Sequence, residues 1–373
     1  MTRAEICVSA ATKLLAAKTA DIAATIGLDG FVDEICAVVD TRSDFETYAE
    51  VDTIATLGKK ILAAAGQSSN YELVVKQMKL GGNGPIMANA LALVGTKVTY
   101  IGATGYPTRH AVFDDFAKVA TIIGVSEPGH TDAVEFSDGK LMLGKLTPLA
   151  DLSWESVVAR VGLPKLTALL QSSRLIAMNN WTMIPKMSQM LAGLTEHVLP
   201  KLTGPRKTFF VDLADPEKRT REDLAAILKL LTAMQKFVDV TLGLNLKESV
   251  QAAEVLHVHQ AENPEPHIEK TAAELRSLLN IACVVIHPRK GAAAADSTGT
   301  SASFQGPFVS QPKISTGAGD HFNAGFALGR VLGLPLVECL CAGVATSGFY
   351  VREAQSPTQA DLAAFMRDLP QPQ

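Results

Sequence analysis

Two hydrophobic periods alternate along this chain. Runs at 22–28 (IAATIGL), 97–102 (KVTYIG), 174–179 (RLIAMN), 207–213 (KTFFVDL), 237–244 (FVDVTLGL) and 281–287 (IACVVIH) read as buried strands. Between them, 85–95 (PIMANALALVG), 183–199 (MIPKMSQMLAGLTEHVL) and 221–237 (REDLAAILKLLTAMQKF) place apolar residues at helical spacing. Strands alternating with helices predict an α/β architecture, a mostly parallel central sheet flanked by helices on both faces. No fixed-period repeat and no linker divides the chain, so residues 1–373 are expected to form one domain.

Two segments break the alternation. EICAVVD (34–40) and TDAVEFSDGKLMLGKL (131–146) are short and strand-like, and the second turns at Asp138-Gly139, a hairpin signal. Neither can extend the main sheet in βαβ order. We place them together as a small β-lid over one edge, near 34–51 and 131–147; ordinary surface hairpins are the other reading.

Composition removes several function classes. The net charge is −4 and no run of Lys and Arg exceeds two residues, so the basic face that nucleic acid or an anionic membrane requires is missing. Five scattered cysteines fit a reducing cytoplasm better than a disulfide scaffold. Lys13, Lys18 and Asp21 interrupt any apolar run near the N-terminus, so we expect no signal peptide.

The densest chemistry lies in STGAGDHFNAGFALG (315–329). FVSQPKI (308–314) reads as a strand leading into it, and Phe322, Phe326 and Val331 recur beyond it at helical spacing. Gly317, Ala318 and Gly319 therefore sit at a helix N-terminus, where unpaired amides and the helix dipole favour an anion such as phosphate. Asp320 would repel that anion unless it serves a second reactant, taking the proton of an attacking hydroxyl while the amides stabilise the transferring phosphoryl group. An Asp that caps its helix is the plainer reading, and the string alone leaves both open. No G-x-x-x-x-G-K-[ST] string occurs, which excludes a P-loop. GGNGPIMANALALVG (81–95) begins like a dinucleotide fingerprint, but Met87 stands at the third glycine and VVKQMKL (74–80) before it is a poor strand.

These motifs together resemble the ribokinase-like (PfkB) sugar and nucleoside kinases. STGAGDHFNAG is similar to that family's C-terminal signature, and GGNGPIMANALALVG to its N-terminal glycine motif. IGLDGFVDEI (26–35), NLKE (245–248) and PRKGA (288–292) resemble its first strand, its N-x-x-E motif and its glycine turn near the nucleotide, in the expected order. The resemblance spans nearly the whole chain. It implies transfer of the ATP γ-phosphoryl group to an alcohol, with Asp320 as catalytic base and Gly317, Ala318 and Gly319 as anion hole. It implies an acceptor site of Asp33, Gly81, Gly82 and Asn83, with Asp29 a further candidate; Asn180 is a candidate from its place at a strand's carboxyl end. Asn245 and Glu248 would order Mg²⁺, Glu248 through water, and Lys290 and Gly291 would lie near ATP. Asn245 and Glu248 also have the form of a capping box. A homodimer through the lid would follow the family.

The departures are specific. Ile314 and Ser315 stand where the family commonly has Asp-Thr, so the side chain that helps hold K⁺ is missing, and only backbone carbonyls could hold that ion. Ile86 stands where a sugar-contacting Asn is usual, and Pro288 replaces a glycine of the nucleotide turn. Cys339 and Cys341, two apart on a helical segment, point some 200° apart and read as core residues. Trp154 and Trp181 read as packing residues. Asn179, Asp212 and Asp215 end strands where open α/β sheets bind ligands, and His287 ends another. The expectation is a cytoplasmic ATP-dependent carbohydrate kinase. The alternatives are a nucleoside kinase of the same fold and a non-catalytic sugar- or nucleotide-binding protein on its scaffold.

Overall fold

The fold is drawn from a computed structural model describing residues 1–372. The chain begins with α1 (Arg3–Ala16), β1 (Ala23–Gly27), β2 (Phe31–Arg42), β3 (Tyr48–Glu50) and α2 (Ile54–Ala63). There follow β4 (Leu73–Gly81), α3 (Asn83–Leu93), β5 (Lys97–Gly102), β6 (Thr121–Gly124), β7 (Gly129–Phe136) and β8 (Gly139–Lys145). The middle holds α4 (Trp154–Val161), α5 (Leu163–Ser172), β9 (Leu175–Met178), α6 (Met187–His197), β10 (Thr208–Asp212), α7 (Arg221–Met234) and β11 (Asp239–Leu244). The last part contains α8 (Leu246–Val255), α9 (Ile268–Leu279), β12 (Cys283–Ile286), β13 (Gly291–Asp296), β14 (Ser301–Gln305), α10 (Ala318–Leu332), α11 (Leu336–Glu353) and α12 (Gln359–Arg367).

Nine strands form the main sheet in the order β14-β13-β12-β11-β10-β9-β1-β5-β6. From β12 to β6 all neighbours are parallel; β13 and β14 add an antiparallel edge. Alternate side chains of one strand feed opposite cores, as a pleat requires. Phe209 and Val211 of β10 join the cluster on one face, and Phe210 joins the cluster on the other.

The second sheet holds β3-β2-β7-β8, with β4 paired to β2. Its ladders are antiparallel except β2–β7. Cys36, Val38, Val51, Leu57 and Val134 give it a small core of its own against α2. The expected hairpin is present but turns one residue earlier than Asp138-Gly139, with Phe136 pairing Gly139 across Ser137-Asp138.

Three local expectations fail. The segment 74–80 is strand after all, the core of β4. It looked poor because both faces of this strand are largely solvated, so charges at Lys76 and Lys79 displace no core residue. Residues 308–314 are irregular rather than a strand. Pro312 has no N–H to offer a ladder, and the segment is held against α11 by Lys313 N to Val351 O at 2.9 Å and by Arg352 Nη2 to Phe308 O at 3.2 Å. The helix expected from 183 begins only at Met187. The Arg219 guanidinium takes the Trp181, Thr182 and Ile184 carbonyls at 3.1, 3.1 and 2.7 Å, holding that stretch in a turn around Pro185. Cys339, Cys341, Trp154 and Trp181 do pack as core or near-core residues.

Candidate active site

The parallel strands β1, β9, β10, β11 and β12 end on one side of the sheet, and their carboxyl ends deliver Asp29, Asn180, Asp212, Asn245 and His287. A cleft of about 500 Å³ opens over Asp212, Asn245 and His287. Asn83, Asp212, Asn245, Glu248, Gly291 and the turn Gly317–Asp320 line it.

The two glycine-containing motifs, far apart in sequence, meet at its floor. Asn83 Nδ2 donates to Asp320 Oδ1 at 2.9 Å. Asn83 opens α3, and Asp29 secures that opening by accepting from the Asn83 and Gly84 amides at 2.9 and 2.8 Å. Asp29 also accepts from Asn180 Nδ2 at 2.8 Å, so three N–H donors occupy its carboxylate. Asp29 and Asn180 thus face one another beneath Asn83 rather than open space. Gly81 is required where β4 passes Asp33, because a Cβ there would lie 2.4 Å from that carboxylate. Gly82 holds φ at 103°, a conformation that favours glycine. Asp33 itself is buried on β2, beside Lys79 of β4 and Thr131 of β7. Burial raises its carboxyl above the usual range, against the opposing pull of Lys79.

Three further carboxylates crowd the cleft. Asp212 accepts from Asn323 Nδ2 at 2.7 Å and from the Ala214 amide at 2.8 Å. Glu248 accepts from the Asp215 and Asn245 amides at 2.9 and 2.8 Å, while Asn245 Oδ1 accepts from the Glu248 amide at 3.0 Å. The capping box is therefore complete, and it holds Glu248 buried at the cleft wall. Burial raises Asp212 to about 6, and burial with the Asp212 charge raises Glu248 to about 8. Asp320 is pushed well above the carboxylate range by burial and by Asp212, against the stabilising Asn83 hydrogen bond. A hard dication suits such a set: oxygen donors, buried, each destabilised by its neighbours' negative charge. Asp212 and Glu248 fit Mg²⁺.

The helix α10 begins at Ala318, two residues before the Asp, with Gly317 at φ 88° as its cap. Asp320 stands in the first turn and does not cap. Ala318 N donates to Ser315 O at 3.2 Å, whereas the Gly317, Gly319 and Asp320 amides have no hydrogen-bond partner among the described residues. The Gly317, Gly319 and Asp320 amides are thus left without a protein partner, while the Ala318 amide is turned into the loop. Ile86 packs against Gly317, where an added Cβ would meet it at 3.2 Å. Ile314 adds no side-chain oxygen to this loop, and the Thr316 and Gly317 carbonyls accept from Tyr350 and His321.

In the 288–292 turn, Gly291 and Arg289 line the cleft, and the Lys290 ammonium lies over the Phe308 ring at 5.4 Å. His287 stacks on Phe322 at 4.6 Å, and burial lowers its imidazole to about 4. Three residues here escaped sequence reasoning. Lys140, on β8 of the small sheet, donates to the Thr316 hydroxyl. Asn323 lies three residues after Asp320 on the same helical face, a spacing that could have pointed to it. His321 gave no signal at all.

A model of the prokaryotic ketohexokinase family matches residues 2–369. The ketohexokinase of Haloferax volcanii is 31% identical over 341 residues, covering 91% of this chain and 89% of that protein. Among solved structures, a probable sugar kinase from Rhizobium etli superposes with a TM-score of 0.62 at 16% identity, covering 93% of this chain and 98% of that one. Ribokinase from Thermotoga maritima gives 0.58 at 15%, covering 93% and 99%. The architecture is therefore the ribokinase-like α/β fold with a small second sheet. Across almost its whole length the chain belongs to the prokaryotic ketohexokinase family, and it is a carbohydrate kinase, a phosphotransferase with an alcohol group as acceptor.

Proposed function

We propose that the protein transfers the γ-phosphoryl group of ATP to a hydroxyl of a ketohexose, with Asp320 as general base. The observation that carries this reading is the position of Asp320: hydrogen-bonded to Asn83 on the acceptor side and set among the free amides of Gly317 and Gly319 on the other. Asp320 accepts the proton of the attacking hydroxyl as its oxygen bonds to phosphorus and the bond to the ADP oxygen breaks. Its raised proton affinity makes it a stronger base than an exposed Asp. The loop amides meet the charge on the transferring group without reorganising.

Asp33, with Gly81, Gly82 and Asn83, forms the acceptor site, and Asp29 and Asn180 act indirectly by fixing Asn83. Phe308, Val344 and Val351 offer the nucleotide an apolar wall on the far side of the cleft. Glu248, through water, with Asp212 and Asn245 beside it, would hold Mg²⁺, which would supply positive charge to offset the triphosphate and keep these carboxylates ionised. We read the chain as one domain whose small sheet is a lid, reaching the loop through Lys140 and excluding water on closure. Met78 and Leu143 lie exposed in register on one face of that sheet and are the surface we assign to a homodimer.

A screen of ATP against ketohexoses, aldohexoses, ribose and nucleosides, with and without K⁺, tests this directly. Phosphorylation of ketohexoses first, with no K⁺ requirement, is expected. Preference for a nucleoside would replace the acceptor assignment, and binding without turnover across the panel would replace the enzymatic one.

A further inference from the structure

We propose that His321 and Tyr350 are positioning residues that hold the anion-hole loop in its working orientation, an inference that rests on the phosphoryl-transfer reading above. The C=O and N–H of a trans peptide point in opposite directions. A donor that fixes a carbonyl on one side of a loop therefore fixes the amide of the same peptide on the other. Tyr350 Oη donates to Thr316 O at 2.9 Å, and the amide of that peptide belongs to Gly317. His321 Nδ1 lies 2.7 Å from Gly317 O, and the His321 amide reaches the same carbonyl at 3.1 Å. Tyr350 thus anchors the peptide whose amide, that of Gly317, is left aimed the other way without a protein partner, and His321 anchors the next peptide, whose Ala318 amide closes the turn onto Ser315 O at 3.2 Å.

The anchor is a built object. A carbonyl only accepts, so Nδ1 carries the proton, and Nε2 of the neutral ring accepts from Ser356 Oγ at 2.7 Å. The imidazole stacks on the Tyr350 ring with centroids 3.6 Å apart and planes 13° apart. One plate therefore joins α10, α11 and the chain beyond α11 beneath the loop. With both nitrogens engaged and the ring buried, His321 cannot exchange protons with substrate although it adjoins Asp320 in sequence. Burial also lowers it to about 4, so it stays a neutral donor over the working pH range.

The test compares Tyr350→Phe, His321→Phe and His321→Asn with the wild-type enzyme in ketohexose phosphorylation, alongside thermal melts and titrations of ATP and ADP. Tyr350→Phe keeps the stack and loses one hydrogen bond; His321→Phe keeps a ring and loses both; His321→Asn keeps a donor near the Nδ1 position. The expected result is a kcat about 10-fold lower for Tyr350→Phe and about 100-fold lower for His321→Phe, with partial recovery in His321→Asn and sugar KM within about twofold. Preference for ATP over ADP should shrink in step, because the loop meets the terminal phosphate. Wild-type kcat in both Phe variants, or equal losses in both His321 variants tracking a lowered melting temperature, overturns the inference. An inactive wild-type enzyme would instead refute the kinase reading, and the ATP and ADP titrations would still judge the loop.

Discussion

Asn83 and Asp320 share a hydrogen bond of 2.9 Å although most of the chain lies between them. The amide side chain that opens α3 thereby stabilises the ionised form of a carboxylate that burial and Asp212 drive toward protonation. Asn83→Ala removes that support and raises the proton affinity of Asp320 further. The acid limb of the kcat–pH profile should move to higher pH, with kcat at neutral pH lower by about tenfold. An unmoved limb would show that the contact does not tune the base.

The crowded carboxylates make stability depend on pH with a definite sign. Asp29 and Asp212 are raised from 3.8 to about 6 and Glu248 from 4.5 to about 8, so the folded state holds protons that the unfolded chain has released. Their stabilising contribution is full below pH 4 and is lost as pH rises through those values. His287 and His321, lowered from 6.5 to about 4, act oppositely, but only below about 6.5. Between pH 6.5 and 8 the metal-free protein should therefore lose stability, seen as a falling urea midpoint. Mg²⁺ should restore more at pH 8 than at pH 6.5, where it must displace protons. A midpoint rising over this interval contradicts the cluster.

Glu248 has two separable tasks, closing a capping box and presenting charge. Glu248→Gln removes the charge and keeps an acceptor for only one of the Asn245 and Asp215 amides, which Glu248 accepts through separate oxygens. We expect a folded protein that needs at least about tenfold more Mg²⁺ for half-maximal turnover. Unchanged Mg²⁺ dependence would leave Glu248 as a cap alone.

Lys140 links the small sheet to the anion-hole loop through Thr316. Burial and the nearby Lys79 charge lower its ammonium from the usual lysine range, so both lysines bear on the same region. Lys140→Met should lower kcat about tenfold while the melting temperature stays constant, because the residue supports no core. Equal kcat values would confine Lys140 to the surface.

Much of the fold could be read in advance because its strands are buried on both faces and show as unbroken apolar runs, and β5 at 97–102 matches to the residue. β4 could not, since its charged residues face solvent and mimic a loop. Asp320, Gly317, Asn83 and the Asn245–Glu248 box declare themselves as local strings with local physical reasons. Tyr350, Lys140 and the Asp29–Asn180 contact do not, because each joins positions distant in sequence and depends on how helices and sheets pack. The amide of Ala318, expected in the anion hole, is spent on Ser315 O, and only the turn geometry reveals that.

Turnover of the Asp320→Asn enzyme with ATP and a ketohexose, measured beside its melting temperature, tests the central claim most directly. The change removes the base and relieves charge crowding, so the fold should persist while kcat falls about 10²–10⁴-fold. A folded Asp320→Asn enzyme with near-wild-type kcat would contradict proton transfer to Asp320.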